Sequence, residues 1–286
     1  MFFFIGLAIV FGSVLGGYLP HGKFEVLLQP LELLIIGGAA TGAFLISNPK
    51  PVLLAAGKHF SRVIKGPPYN RNSYLELLTL LYTVFKLAKT KGMLALESHV
   101  EAPQESDLFS NFPEFMKNHH AVEFLCDYLR LMTMGSENPH ELEALMDEDL
   151  ETHHTESHAV ASAFTTMGDG LPAFGIVAAV LGVIITMGSI SEPPEVLGSL
   201  IGGALVGTFL GILLAYGVVS PIGKNLESYA DADAKYYECI KAGLIAHLHG
   251  YAPQISVEFA RKTLYSHERP SFREVEEAME AAPAAG

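Results

Sequence analysis

Two long apolar runs, separated by a short polar break, dominate the pattern of hydrophobic and polar positions along the chain. They cover residues 169–190 and 197–220, and each is about the length that a helix needs to cross a bilayer, roughly 20 residues. Neither run contains Lys, Arg, Asp, Glu or His between Leu171 and Ile190 or between Leu197 and Ser220. The pattern therefore predicts two transmembrane helices joined by the segment SEPPEV.

Small residues mark one face of the second of these helices. Gly203, Gly207 and Gly211 recur at every fourth position, which places them on a single stripe of a helix. The first run also carries small residues, among them Ala178 and Ala179. Stripes of this kind let two membrane helices approach closely, so the glycines are predicted to pack against another span or a partner.

Two further apolar segments near the start of the chain predict two more spans. The first is the segment 1–20, and it has no Lys or Arg before Lys23, which is unlike the positive start of a signal peptide. The second covers Leu31 to Ser47, with Glu32 at its mouth, and Asn48–Pro51 is predicted to end it. The interiors of the four predicted spans contain no other ionisable residue.

The segment between the second and third spans has the pattern of soluble helices. Apolar residues follow a 3.6-residue rhythm from Tyr74 to Ala88, and Gly92 is expected to loosen this helix before it continues toward Glu97. Another helix is predicted from His120 to Met134. Asn138-Pro139-His140-Glu141 is a typical helix start, with an N-cap residue followed by proline. Beyond Pro221 the helical pattern continues to His249, and the Ala- and Glu-rich tail after Pro270 is expected to fray.

These elements predict an all-α integral membrane protein with a large helical part outside the bilayer. The predicted divisions are 1–48 (spans one and two), 49–168 (a cytoplasmic helical domain), 169–222 (spans three and four) and 223–286 (a cytoplasmic helical extension). Half of the 286 residues are hydrophobic, 17% are charged and the mean hydropathy is +0.31, as expected for such a mixture. Basic residues follow the second and fourth spans (Lys50, Lys58, Arg62, Lys65 and Lys224), which predicts that both large segments face the cytoplasm.

Charge and cysteine content narrow the possible functions. The net charge of −13 argues against a nucleic-acid partner, and two distant cysteines fit a reducing compartment. His153, His154 and His158 share a helix with acidic residues and could bind a metal, but a solvated acidic helix explains them better. No phosphate-binding loop, nucleophile elbow or CxxC is present. We expect no enzyme activity, no metal and no cofactor.

The absence of ionisable residues from the span interiors bears on ion transport. Ion carriers in membranes depend on an intramembrane carboxylate or a similar group. If this chain moves ions, another polypeptide is therefore predicted to supply that group.

Several segments resemble the MotA family of flagellar stator proteins. They are LPAFGIVAAVLGV, GTFLGILLAYG followed by SP, ALESHVEAPQESDLF, EALMDEDLETH and GYAPQISVEFARKTLYSHERPSF. The resemblance covers nearly the whole chain, including the layout of four spans with a large insert between the second and third.

The resemblance implies a motor that is driven by ions in the bacterial inner membrane. Five copies of the chain would surround two copies of a MotB-like subunit, which supplies an Asp in its single helix and anchors to peptidoglycan. Ion passage would turn the ring against a FliG-like protein of the rotor switch complex. The positions that match are Ala179, Thr186, Thr208 and Tyr216 on the ion path, Pro172 and Pro221 as hinges, and Lys89 and Glu97 for the rotor contact.

The residue types at some of these positions also have simpler structural roles. Pro172 could be an ordinary helix-start proline, whereas Pro221 lies in a continuing helical pattern, which it must bend. Lys89 stands where the family usually has Arg, so it keeps the charge without the bidentate geometry. Sodium-type relatives have Thr where this chain has Ala179, which favours protons as the coupling ion. The alternatives for the whole chain are an ExbB/TolQ-like envelope energiser and a structural membrane scaffold without ion flux.

Overall fold

The computed structural model describes residues 2–135 and 138–283, and every regular element in these ranges is helical. The α-helices are α1 (Phe2–Tyr18), α2 (Phe24–Leu27), α3 (Pro30–Ser47), α4 (Lys50–Lys65), α5 (Arg71–Lys91), α6 (Glu97–Glu101), α7 (Pro113–Met116), α8 (His119–Thr133), α9 (Pro139–Gly188), α10 (Pro194–Leu214), α11 (Ser220–Leu248), α12 (Pro253–Thr263) and α13 (Phe272–Glu280). Short 3₁₀ turns cover Met93–Leu96, Pro103–Glu105 and Phe109–Asn111, and a π-helical turn covers Ala215–Val219.

The chain forms two compact units. The first comprises residues up to 67 together with 155–230, and the second comprises 68–154 together with the chain from residue 231 onward. Helices α9 and α11 each contribute residues to both units because they continue past the boundaries at 154 and 230.

The first unit contains the apolar helices. By length and composition, three stretches in the described residues could cross a membrane, namely Phe24–Ser47, Pro139–Gly188 and Pro194–Leu248. Helix α1 is also apolar, and its 17 residues are at the lower end of the length that a span requires. The bounds predicted for the second span, Leu31 to Ser47, agree with helix α3, which covers Pro30–Ser47. The apolar stretch that includes α3 begins earlier, at Phe24, because it also takes in α2 and the two irregular residues after it.

Helix α4 follows the second span after a two-residue break. The predicted stop at Asn48 is confirmed, since Asn48 caps α3 and its side-chain amide donates to the Phe44 carbonyl at 2.8 Å. A new helix then begins, which the sequence pattern did not predict. Its Ala56 and Val63 are buried, and Val63 packs in a small core with Ala161 of α9.

The second unit is built around α5. The predicted rhythm from Tyr74 to Ala88 is confirmed, because Tyr74, Leu77, Leu78, Leu81 and Phe85 are all fully buried. The expected continuation through Gly92 is wrong. Gly92 adopts a positive φ of 84° and ends α5, so the chain enters a 3₁₀ turn instead.

Local signals fixed the helix ends around α8 and α9. Helix α8 covers His119–Thr133 and stops before Gly135, whose φ is 93°, as the sequence predicted. Helix α9 begins at Pro139, and the Asn138 side chain accepts a hydrogen bond from the backbone of His140 at 3.1 Å. The N-cap prediction is therefore confirmed.

The expectation that the C-terminal tail frays is wrong for residues 271–280. Residues 272–280 form α13, and Ser271 caps it through a reciprocal capping box with Glu274. Arg71 pairs with Glu274, and Val275 is buried in the core of the second unit. The cap and the buried valine together hold this helix. Residues 284–286 of the same predicted tail lie outside the described residues.

Candidate ion path, hinge and rotor-facing residues

A close-packed seam joins α9 to α10 in the first unit. A methyl group placed on Gly211 would lie 2.8 Å from the Gly175 Cα and 2.8 Å from the Leu171 carbonyl oxygen. One placed on Gly175 would lie 2.9 Å from the Gly207 carbonyl oxygen. The two backbones therefore touch, and glycine is required at these positions because any side chain would force the helices apart.

Gly203 belongs to the same stripe but faces a different element. A methyl group there would lie 3.2 Å from Nε2 of Gln29, in the irregular turn between α2 and α3. The same Nε2 atom donates a hydrogen bond to the Val26 carbonyl at 3.1 Å. The glycine stripe of α10 thus packs against two different neighbours, α9 at Gly207 and Gly211 and the start of the second span at Gly203.

Three of the four predicted ion-path residues lie in α9 and α10. The backbone nitrogen of Ala179 lies 3.1 Å from the position of a methyl group on Gly207, and the Thr208 Cα lies 3.4 Å from that of one on Gly175. Both side chains are partly exposed beside the seam. Thr186 is buried, and its hydroxyl donates to the Gly182 carbonyl at 2.9 Å, one turn earlier in α9.

Tyr216 lies apart from the other predicted ion-path residues. Its side chain is 63% exposed and lines a cavity of about 560 Å³, together with Phe2 and Val10 of α1. Pro221, Ser228 and Tyr229 form another part of the wall. The structure therefore brings Tyr216 next to the predicted hinge Pro221 and helix α1, and it brings Ala179 and Thr208 to the α9–α10 seam.

One predicted hinge proline lies inside a helix and the other lies at the start of one. Pro172 lies inside the 50-residue helix α9, so the alternative that it is a helix-start proline is wrong. Its missing N–H leaves the carbonyl of Gly168 without the usual i−4 donor. Pro221 is the second residue of α11 and directly follows the π-helical turn Ala215–Val219. That turn accommodates the proline, since helices bend at prolines and at π-bulges.

Helices α9 and α11 also approach each other closely, near Pro172 and Pro221. A methyl group on Gly168 would collide with the Ser220 Oγ, and one on Gly223 would lie 2.5 Å from the Thr165 Oγ1. The Ser220 Oγ is buried, and no hydrogen-bond partner is found for it among the described residues. The sequence pattern did not predict this contact, because glycines at 168 and 223 lie in different predicted segments.

Glu32 is the ionisable residue that the sequence analysis placed at the mouth of the second predicted span. It is the third residue of α3 and lies in the first turn of that helix, although the apolar stretch that includes α3 begins earlier, at Phe24. Its carboxylate lies against Gly182 of α9 and Gly207 of α10. The Oε2 atom is 2.9 Å from the position of a methyl group on Gly207, and Oε1 is 3.4 Å from that of one on Gly182.

The predicted rotor-contact residues lie in the second unit. Lys89 is in the last turn of α5 and Glu97 is the first residue of α6, and both are exposed. Neither has an ion-pair partner within residues 2–135 and 138–283. Burial and then the charge of Lys89 lower the pKa of His247, whose ring stacks on Phe85 at 4.7 Å.

The acidic part of α9 has partners in the second unit. Lys241 of α11 contacts Asp147 at 2.5 Å and Glu143 at 3.7 Å, beside a cavity of about 730 Å³. The His153 ring lies 4.8 Å from that of Tyr237. These contacts explain part of the acidic helix by packing and ion pairing.

Known proteins share both the sequence and the fold of this chain. Residues 4–92 match the family described as motility protein A N-terminal, and residues 116–238 match the MotA/TolQ/ExbB proton channel family. Motility protein A of Salmonella typhimurium and that of Escherichia coli K12 are each 44% identical over 282 residues, covering 98% of this chain and 96% of theirs. Chemotaxis protein LafT of Vibrio parahaemolyticus is 35% identical, covering 96% of each chain.

Solved structures give the same result. A chain in the flagellar MotAB stator complex from Bacillus subtilis aligns with a TM-score of 0.74 at 25% identity, covering 96% of this chain and 98% of that one. A chain of C. jejuni MotAB aligns with a TM-score of 0.78 at 23% identity, which shows a shared fold. With a 44% identical relative over nearly its whole length, the chain belongs to the motility protein A family.

Proposed function

We propose that this chain is a stator subunit of the bacterial flagellar motor, which uses an ion gradient to turn the rotor. The observation that carries the proposal is the similarity to motility protein A of S. typhimurium over 98% of the chain. The B. subtilis complex that contains a chain of the same fold is named a flagellar MotAB stator complex, which supports a MotB-like partner for this chain.

The chain matches two protein families, and the narrower of the two favours a stator over an envelope energiser. The broad description, which includes TolQ and ExbB, covers residues 116–238 only. Residues 4–92 match a description specific to motility protein A. The match over residues 4–92 includes the first two proposed spans and α5 with Lys89. These are the parts expected to differ between a motor and an energiser.

In the proposed assembly each copy of the chain has four spans in the inner membrane. They are α1, the stretch Phe24–Ser47, the second half of α9, and α10. Basic residues of α4 follow the second span and Lys224 follows the fourth, which favours a cytoplasmic location for the C-terminal ends of these two spans. Five copies would surround two MotB-like helices, with Ala179 and Thr208 beside those helices. Each MotB-like subunit would supply an Asp as the ion carrier. The ion is a proton, since Ala179 offers no oxygen ligand.

In the proposed cycle the ring of copies turns and its cytoplasmic surface pushes the rotor. Pro172 and Pro221 would absorb the bending between membrane and cytoplasm, because both remove a helical hydrogen bond. Lys89 and Glu97 would contact a FliG-like rotor protein through exposed charges. No cofactor or bound metal is needed for this cycle.

The proposal is tested by complementation. The chain, together with its MotB-like partner, should restore swimming to a strain that lacks its own stator genes. The chain without the partner is the matched control and should not restore it. Swimming restored by the chain alone, or no swimming with any MotB-like partner although both proteins reach the membrane, would contradict the stator function.

A further inference from the structure

The Glu32 carboxyl group, in the first turn of α3, packs against two other apolar helices, α9 and α10. Its oxygens lie against Gly182 and Gly207. Gly182 is 11 positions after Leu171 and 8 before Ile190 in the third apolar run. Gly207 is 13 residues after the start of α10 and 7 before its end. Both contacts therefore lie within apolar stretches, at least six residues from the nearer end of each helix.

No group with the opposite charge faces this carboxylate from the helices packed against it. Within α3, Glu32 is the only ionisable residue, and neither α9 beyond Leu171 nor α10 beyond Glu195 contains any. The Oε2 atom is buried and has no hydrogen-bond partner among the described residues. An isolated charge in such a place is costly, and intramembrane ionisable residues are usually tied to ion or proton pathways.

The carboxyl group is also close to the predicted ion path. Its Oε2 atom and the backbone nitrogen of Ala179 lie 2.9 and 3.1 Å from one point, the methyl position on Gly207. These two atoms are therefore no more than about 6.0 Å apart. The missing side chain of Gly207 leaves the space that the carboxyl group uses, and Thr208 is the next residue of α10.

We propose that Glu32 is a proton-carrying group that this chain contributes to the ion path, in addition to the carboxylate of its partner. In one step the Glu32 carboxylate takes a proton that arrives from the outer side, forming an O–H bond and a neutral acid. In the next it releases that proton toward the partner's carboxylate and returns to the charged form. Each cycle moves one proton and leaves Glu32 unchanged. This inference rests on the proposed stator function.

The test measures proton uptake by vesicles that contain the chain and a partner variant that conducts constitutively. Glu32→Gln keeps the size and hydrogen-bonding capacity of the side chain but cannot carry a proton, so uptake should fall at least tenfold. Glu32→Asp keeps a carboxyl group and should retain measurable uptake with an altered dependence on external pH. Gln29→Met is the control, because Gln29 contacts the same glycine stripe one turn away at Gly203 without a titratable group. It should leave uptake near the wild-type rate.

Copurification with the partner separates a transport defect from an assembly defect. Uptake by assembled Glu32→Gln at the wild-type rate would overturn the proposal. If Glu32→Gln fails to assemble, Glu32→Asp decides the question, and a pH profile identical to that of the wild type would make Glu32 a packing residue only. An absence of proton uptake by the wild-type complex itself would instead contradict the proposed stator function.

Discussion

Replacing Gly211 by alanine tests the seam between α9 and α10. The new methyl group would lie 2.8 Å from the Gly175 Cα and 2.8 Å from the Leu171 carbonyl oxygen, and both of these are backbone atoms. A flexible side chain could rotate away from such a contact, but backbone atoms within two long helices cannot. Gly211→Ala must therefore move one helix relative to the other.

The size of the effect follows from this distance. Carbon atoms in contact prefer a separation of about 3.5–4.0 Å, so the helices must separate by roughly 0.7–1.2 Å at this point. A gap of about 0.5–1 Å already forfeits a quarter to a half of the attraction between facing atoms. Overpacking of a tight site costs about 1–3 kcal/mol, which is roughly a 5- to 150-fold change in the folded-to-unfolded ratio. The helical preference of alanine offsets only about 0.5–1 kcal/mol of this.

The assay is thermal unfolding of the purified chain in lipid vesicles, compared with Gly202→Ala. Gly202 is in the same helix, but a methyl group there meets only Val26 Cγ1 at 3.7 Å, an ordinary contact. Gly202→Ala should unfold at the wild-type temperature or slightly above it, and Gly211→Ala several degrees lower. Equal midpoints for the two variants would refute the inference that the backbones touch at Gly211.

Four further predictions concern the rotor contact, pH, the hinge and the ion. Reversing both charges, Lys89→Glu with Glu97→Lys, should abolish most swimming while proton uptake by a constitutively conducting complex persists; normal swimming would remove both residues from the mechanism. Burial, followed by the charge of Lys89, lowers the pKa of His247 below 6.5 in the folded protein. The unfolded chain therefore binds a proton at this residue more readily than the folded chain, so the contribution to stability is complete above pH 6.5 and is lost as the pH falls through the folded pKa. His247→Phe should therefore flatten the fall in unfolding temperature between pH 7.5 and pH 5.5, and an equal slope in both proteins would exclude this role. Pro221→Ala restores a backbone donor next to the π-turn and should reduce swimming speed without lowering the amount of protein in the membrane; unchanged speed would show that the bend is dispensable. Because Ala179 offers no oxygen ligand, swimming should persist without sodium and follow the proton gradient, and a speed that tracks external sodium would contradict this.

Sequence patterns predicted those elements whose signals are local. The start of α9 at Asn138–Pro139 depends on a cap and an adjacent proline, and both effects act within one turn. The rhythm of α5 from Tyr74 to Ala88 reflects burial of the helix in its own unit. Even the missed helix α13 carried a readable signal, since Ser271 and Glu274 have the spacing of a capping box.

The position of Glu32 could not be read from its neighbours. Beside Pro30 and at the edge of an apolar run, a glutamate is expected to face water. The packing of α2, of the turn at Gln29 and of α3 itself against α10 brings it beside Gly207. The same holds for Pro172. A proline shortly after Asp169–Gly170 is typical of a helix start, but α9 continues through Pro172.

The energies involved show why exposed, unpaired charges suit a contact that forms and breaks at every step. One charge that crosses the membrane potential releases roughly 2.3 kcal/mol per 100 mV. An exposed ion pair is worth only about 0–1 kcal/mol, so such an energy source can make and break it repeatedly. Lys89 and Glu97 meet this condition. Arg261 does not, since only 8% of its side chain is exposed and it is held by Glu258 at 2.6 Å and by the Pro270 carbonyl at 2.8 Å. A charge held in this way stabilises the fold of the second unit, and the rotor contact that we propose would use charges that the fold leaves exposed.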